Sequence, residues 1–200
     1  MKKITLLFAV VIALSSCSND DDKNKNQEFF NLKVGNVWVY KKYYVSESRG
    51  ASYLGTNDTV KVAGIETIDG KEYYSLTHTD DMWRDGEFLR LDDAGHLVYT
   101  TEKVLHSGTD KTYKEVRPFR NFGTMSYTLE NSTNVDVEGR SYKVYPFQGY
   151  FTPNEGVNVP EGEASVDAYQ EGVGFVLKRY RYMAAQKDFV EYRLISYDLK

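Results

Sequence analysis

Chemistry needs nucleophiles, titratable groups or metal ligands at usable spacing, and this chain of 200 residues has few. Its histidines are His78, His96 and His106. None falls in an HxH or HExxH pattern, so no metal-ligand spacing is present. Each reads as an ordinary residue at a strand end. There is no GxSxG, no phosphate-binding loop and no glycine-rich dinucleotide fingerprint. The densest cluster is an acidic hairpin neighbourhood of Asp80, Asp81, Asp85, Glu87, Asp92 and Asp93, with Trp83 among them. Glycoside hydrolysis uses two carboxylates flanking a sugar, with aromatic rings stacked on it. Carboxylates also gather at turns, because Asp bonds its own backbone there. Turn chemistry is the favoured reading, and a glycan-directed hydrolase at the hairpin near Trp83 stands as an alternative. No DxDxDG calcium spacing occurs there. The sequence therefore assigns no catalytic residue, no metal and no cofactor, and the expectation is a non-enzyme.

Tyrosine is abundant, with 17 copies. Tyr40, Tyr43, Tyr44, Tyr73, Tyr74, Tyr180 and Tyr182 stand on predicted strands. Tyr43 and Tyr44 point to opposite faces, as do Tyr73 and Tyr74. Tyr180 and Tyr182 share one face, and Arg179 and Arg181 share the other. An exposed aromatic face would suit a glycan. The favoured reading is the wet side of an antiparallel sheet with cross-strand aromatic pairs. Asp58-Thr59-Val60 resembles the short acceptor motif for O-glycosylation of exported Bacteroidota proteins, which makes Thr59 a candidate for modification.

The elements that hold these residues read as strands. Tyr, Val and Thr suit a pleated, half-buried surface. Beyond the first residues there is no convincing helical period, and period-two segments separated by Gly and Asp turns dominate. Val37–Ser46, "VWVYKKYYVS", is the first strong strand, and 59–68 is the second. Asp69-Gly70 is the sharpest turn signal and makes 59–78 a hairpin. A second Asp-Gly stands at 85–86 in "MWRDGEFLRL". "DDAG" at 92–95 turns into "HLVYTTEKVL". Later strands are expected at 111–118, 124–129, 141–151, 164–170, 173–183 and 188–197, with turns at Gly139 and at 184–188. The long connection is 152–163. Sequential strands with short links imply an antiparallel meander. About ten strands would curl or split rather than stay flat. The expected fold is all-β, as a sandwich, a half-barrel or a barrel.

The N-terminus is of another kind. Lys2 and Lys3 precede an apolar run from Ile4 to Leu14, too short to span a bilayer as a helix. It has the length of a secretory signal's apolar region. Leu14-Ser15-Ser16-Cys17 then resembles the bacterial lipobox. That resemblance implies cleavage after Ser16 and lipid on Cys17, the only cysteine in the chain. Two or three acyl chains are enough for lasting anchorage. With Cys17 acylated, the mature chain has no thiol for a disulfide, a metal or a nucleophile. Residues 18–28 contain no apolar side chain and read as a flexible tether. Asp22-x-Asn24-x-Asn26 opens like a calcium loop, but Gln27 and Lys33 replace its glycine and its closing Glu. "CSNDDD" looks like the acidic signal that Bacteroidota place after the lipidated cysteine to send lipoproteins to the cell surface. On that reading Asp20, Asp21 and Asp22 are the sorting signal. The expected organisation is 1–16 signal peptide, 17–28 lipidated tether and 29–200 one β domain.

"LKVGNVWVY" near the start, with "YQEGVGFVLKRYRY" and "RLISYDL" near the end, resembles small Bacteroidota lipoproteins whose domain opens on a vGnxWxY strand and closes on an eGvGxv strand. The resemblance covers about a third of the mature chain. It implies an exported all-β protein and no activity. Without Lys2 and Lys3 the chain carries 23 basic against 29 acidic residues. This mild acidity disfavours nucleic acid as a partner. The expected partner is the membrane, through Cys17, with a glycan or a protein as possible ligand. The expectation is thus a lipoprotein anchored in the outer membrane and exposed at the cell surface, acting as a non-catalytic binding or accessory module. The other alternative is a periplasm-facing half-barrel that carries lipid or another apolar ligand.

Overall fold

The computed structural model describes residues 28–80, 87–181 and 188–200. Ser16, Cys17, Asp20, Asp21 and Asp22 lie outside the described residues, as do Asp81, Trp83, Asp85 and Tyr182.

The strands are β1 Val37–Ser46, β2 Gly50–Ile68, β3 Lys71–Thr77, β4 Phe88–Leu91, β5 Leu97–Tyr99, β6 Val104–His106 and β7 Lys114–Phe119. They continue as β8 Gly123–Leu129, β9 Thr133–Val137, β10 Arg140–Pro153, β11 Gly162–Gln170, β12 Gly174–Arg181 and β13 Phe189–Asp198. All the pairings are antiparallel, and the path runs β6-β5-β4-β3-β2-β1-β13-β12-β11-β10-β8-β7. The first strand thus pairs with the last, Val37 opposite Asp198 and Tyr44 opposite Val190. The all-β expectation holds, as a curled half-barrel. There are thirteen strands rather than about ten. The expected second strand begins at Gly50 instead of 59, the segment after "DDAG" divides into β5 and β6, and β9 is additional.

The curl brings the two sheet ends together. Leu97, Tyr99 and Leu105 join the main core, while Val98 and Val104 pack with Leu129 and Phe147 of β8 and β10. Strands β5 and β6 are therefore buried on both faces, which is why "LVY" and "VLH" read as continuous runs without alternation. Arg117 of β7 donates to the Val104 carbonyl at 2.9 Å, linking the two ends through a side chain.

Phe29 and Phe30, just before the sheet, fill its interior and are each 1% exposed. Phe29 stacks on Tyr169 at 5.3 Å and on His106 at 5.9 Å, and meets Phe30 edge-on. The segment is tied down by Gly172 N–H to the Phe29 carbonyl (2.8 Å) and by the Tyr169 hydroxyl to the Phe30 carbonyl (2.6 Å). Beside it, Trp38 donates to the Val173 carbonyl.

β9 and the first half of β10 form a hairpin that turns at Glu138-Gly139, both at positive φ. Along β10 the buried set shifts from Tyr142 and Val144 to Phe147, Gly149 and Phe151, so its two halves bury opposite sides. The Glu138 carboxylate accepts from Lys41 (3.1 Å) and Tyr43 (2.7 Å) and lies 4.0 Å from Arg193. By strand alternation those partners face away from Tyr40, Tyr192 and Leu194. The hairpin thus covers part of the sheet's outer side.

Candidate functional site

The interior is the first place to look for a ligand. Trp38, Tyr40, Leu76, Leu89, Tyr169 and Phe175 help to line a cavity there of only about 20 Å³. That admits about one water molecule, against the ~300–1,000 Å³ of a small-molecule site. The apolar cavity that a carrier needs is thus filled by the protein's own aromatic side chains. His106 belongs to this filling. It lies in the core, not at an open strand end. Its Nδ1 accepts from Gly108 N–H (3.0 Å) and its Nε2–H donates to the Tyr145 carbonyl (2.9 Å). Burial pushes its pKa down to about 3, the Tyr145 carbonyl pulls the other way, and nearby Lys178 and His96 lower it further.

Outside, a cleft of about 290 Å³ opens between the β2–β3 hairpin and the turn from β4 to β5. Its walls include Ile65, Glu72, Tyr73, Tyr74, Arg90 and Asp93. Asp69-Gly70 turns the hairpin tightly and aligns Ile65 opposite Tyr74 and Glu66 opposite Tyr73. The Arg90 guanidinium lies over the Tyr73 ring at 5.7 Å, and Nε donates to the Tyr73 hydroxyl at 3.3 Å. Arg90 also pairs with Glu102, which Lys71 reaches at 2.8 Å. The Lys71 hydrogen bond holds the Glu102 carboxyl below the usual carboxylate range; slight desolvation opposes it and Arg90 adds to it.

At the cleft's floor Asp92 is occupied by its own turn. One oxygen accepts from the Ala94 and His96 N–H groups at 3.0 and 2.7 Å, and the other lies 3.3 Å from His96 Nδ1. His96 Nε2 in turn sits 3.1 Å from Asp110. Asp110 also accepts from Thr112, and these bonds outweigh its partial desolvation and lower its pKa. Asp92–His96–Asp110 is a clamp between two loops, with both ring nitrogens facing carboxylates and no hydroxyl nucleophile bonded to the imidazole.

The acidic neighbourhood read from the sequence separates in space. Asp92 and Asp93 reach the cleft. Asp80 pairs with Lys42 at 3.0 Å, and Glu87 lies 3.9 Å from His78. Asp81, Trp83 and Asp85 are outside the described residues, and with them the centre of the hydrolase alternative. The tyrosines separate as well. Tyr40 is core, Tyr43 bonds Glu138, Tyr44 bonds Asp188 on the opposite face, and Tyr180 lies 6.0 Å from Tyr192. Arg179 and Arg181 do share a groove of about 500 Å³, with Pro160 and Phe189 on its walls. Arg179 bonds Glu163 and Glu191 there, and Arg181 donates to the Pro160 carbonyl at 2.6 Å. Thr59 is half-buried in β2, and its N–H donates to Thr79. Its neighbour Asp58 is buried and accepts from the N–H groups of Thr79 and Asp80, which gives that aspartate a structural role. Sequence reasoning missed Arg90 and Ile65 at the cleft and Phe29 and Phe30 in the core. The pair "FF" directly after a polar stretch was the available signal.

No protein-family model matches the chain, and no curated protein does. Two solved structures are similar. One is a candidate lipoprotein from Parabacteroides distasonis, with TM-score 0.36 and 11% identity over 85% of this chain and 98% of that one. The other is a candidate exported protein with a YmcC-like fold from Bacteroides fragilis, with TM-score 0.40 and 7% identity over the same shares.

Proposed function

We propose that the protein is a surface lipoprotein of the outer membrane, anchored through Cys17, and that its β domain works by binding rather than by catalysis. The filled interior carries the second half of this reading. A half-barrel packed with its own Phe29, Phe30, Tyr169 and His106 must meet a partner on its outside. The cleft of Tyr73, Tyr74, Arg90 and Ile65 gives such a partner an aromatic and polar wall. The address rests on Leu14-Ser15-Ser16-Cys17 and on Asp20, Asp21 and Asp22.

Protease shaving of intact cells, combined with mass analysis of the mature N-terminus, tests the reading. The expected result is an N-terminus at Cys17 carrying acyl mass and a domain lost from intact cells on digestion. A domain protected in intact cells but cleaved in permeabilised ones would refute surface exposure. An unmodified Cys17 would refute the anchor.

A further inference from the structure

The outer face of β7, β8 and β10 is an ordered three-by-three grid. Lys114, Val116 and Pro118 stand opposite Thr128, Ser126 and Thr124. Those three stand opposite Gln148, Tyr150 and Thr152. Alternation sends Met125, Leu129, Phe147 and Phe151 to the buried side, so all nine grid residues face outward. With strands ~4.8 Å apart and ~3.4 Å per residue, the Cα positions of the grid cover roughly 10 by 14 Å.

Two properties set this face apart. It holds one charge, Lys114 at a corner, in a chain that is 27% charged. It also offers apolar surface and hydroxyls side by side. Val116 is 67% exposed and Tyr150 43%, and Phe122 just beyond the Pro118–Thr124–Thr152 row is 44% exposed. Tyr150 and Phe122 are separated by about three residue rises along the strands, ~10 Å. Among the described residues the hydroxyls of Tyr150 and Thr124 make no hydrogen bond.

The chemistry selects one class of occupant. The near absence of charge offers nothing to a polyanion or to a basic peptide. Protein interfaces favour large apolar side chains at their centre and are poor in Ser, whereas this centre is Ser126 between two Thr. Strand addition at β7 is blocked by Pro118, which has no N–H to donate, and by Glu115 and Arg117 along the edge. A neutral polysaccharide fits. Its C–H faces stack on exposed Tyr and Phe rings, and its hydroxyls exchange hydrogen bonds with Thr124, Ser126, Gln148 and Thr152. We propose that this face is a platform for a neutral polysaccharide chain lying across Tyr150 towards Phe122. The proposal rests on the reading of the protein as a binding module and moves its main contact from the cleft to this face.

Affinity electrophoresis tests it. Full-length protein in a polyoxyethylene detergent is run through native gels containing dextran, laminarin, mannan or xyloglucan, with polygalacturonate and heparin as charged comparators. At least one neutral polymer should retard the protein. Tyr150→Ala and Phe122→Ala should each raise the polymer concentration for half-retardation about tenfold, while Tyr74→Ala in the cleft leaves it unchanged. Both aromatic positions are exposed, so the variants keep the fold, which circular dichroism verifies. Retardation by none of the neutral polymers overturns the platform, as does retardation by the charged ones alone. Retardation that Tyr74→Ala abolishes and Tyr150→Ala spares also overturns it, while leaving the binding-module reading in place. Concentration-dependent sedimentation lost in Tyr150→Ala would overturn it too, and would give the face to a second copy of the chain.

Discussion

Acidification should destabilise this protein before its carboxylates begin to titrate, and His106 is the reason. The ring is fully buried among Phe29, Tyr169 and Phe147. Nδ1 is already an acceptor and Nε2–H a donor, so a second proton would set an N–H of the ring against the N–H of Gly108. The folded pKa of about 3 lies below the unfolded value of 6.5. Above pH 6.5 both states hold a neutral ring. Between pH 6.5 and about 3 the unfolded chain binds a proton that the folded chain does not. Stability is therefore full above pH 6.5 and falls as pH drops, by ~1.4 kcal/mol per pH unit. At pH 5 the loss is about 2 kcal/mol, and it approaches ~5 kcal/mol near pH 3. With a urea dependence of ~2 kcal/mol per molar, the midpoint at pH 5 should lie about 1 M below that at pH 7. Urea titrations at pH 7, 6 and 5 on the wild type and on His106→Gln provide the assay. His78 and His96 are common to both proteins, so the difference in slope isolates one proton. Equal slopes in the two proteins would refute the reasoning. So would an NMR titration of the His106 ring in the folded state with a midpoint above pH 5, a reading that does not depend on the variant folding.

Two further outcomes follow from the packing. Phe29→Ala empties part of an interior that has about 20 Å³ to spare, and should cost ~3–5 kcal/mol in urea unfolding; a loss under ~1 kcal/mol would mean that the segment is not part of the core. Gly174→Ala places a methyl 2.7 Å from Trp38 Nε1 at a φ of +128°, and should lower stability by about 3 kcal/mol through overpacking and backbone strain; an unchanged thermal midpoint would show that Trp38 can move aside.

Local signals located most strands. Val37–Ser46 is a strand over the same residues that its composition marks, and Asp69-Gly70 and Gly139 turn where turn chemistry puts them. Weak local signals lost others. Gly50–Asn57 is exposed throughout, so no apolar alternation announces it. β9, "TNVDV", is short and polar and is held by its hairpin partner and by the Glu138 contacts. His106 read as an ordinary strand-end residue because nothing near it in sequence shows that Phe29, Phe147 and Tyr169 will surround it. The acidic residues of 80–93 read as one neighbourhood because they are near in sequence, yet Lys42 draws Asp80 away from Asp92 and Asp93.

By itself the sequence determined the all-β class, the antiparallel order of neighbouring strands and most turns, because these depend on side-chain period and on backbone preferences within a few residues. It also carries the whole case for the lipid anchor at Cys17. Only the tertiary structure decided that β1 pairs with β13, that β5 and β6 are buried on both faces, that Phe29 and Phe30 fill the half-barrel, and that Val116, Ser126 and Tyr150 share one outward row. These are contacts between residues tens to more than a hundred positions apart. They are set by how the curled sheet shares out burial, which no window of local sequence records.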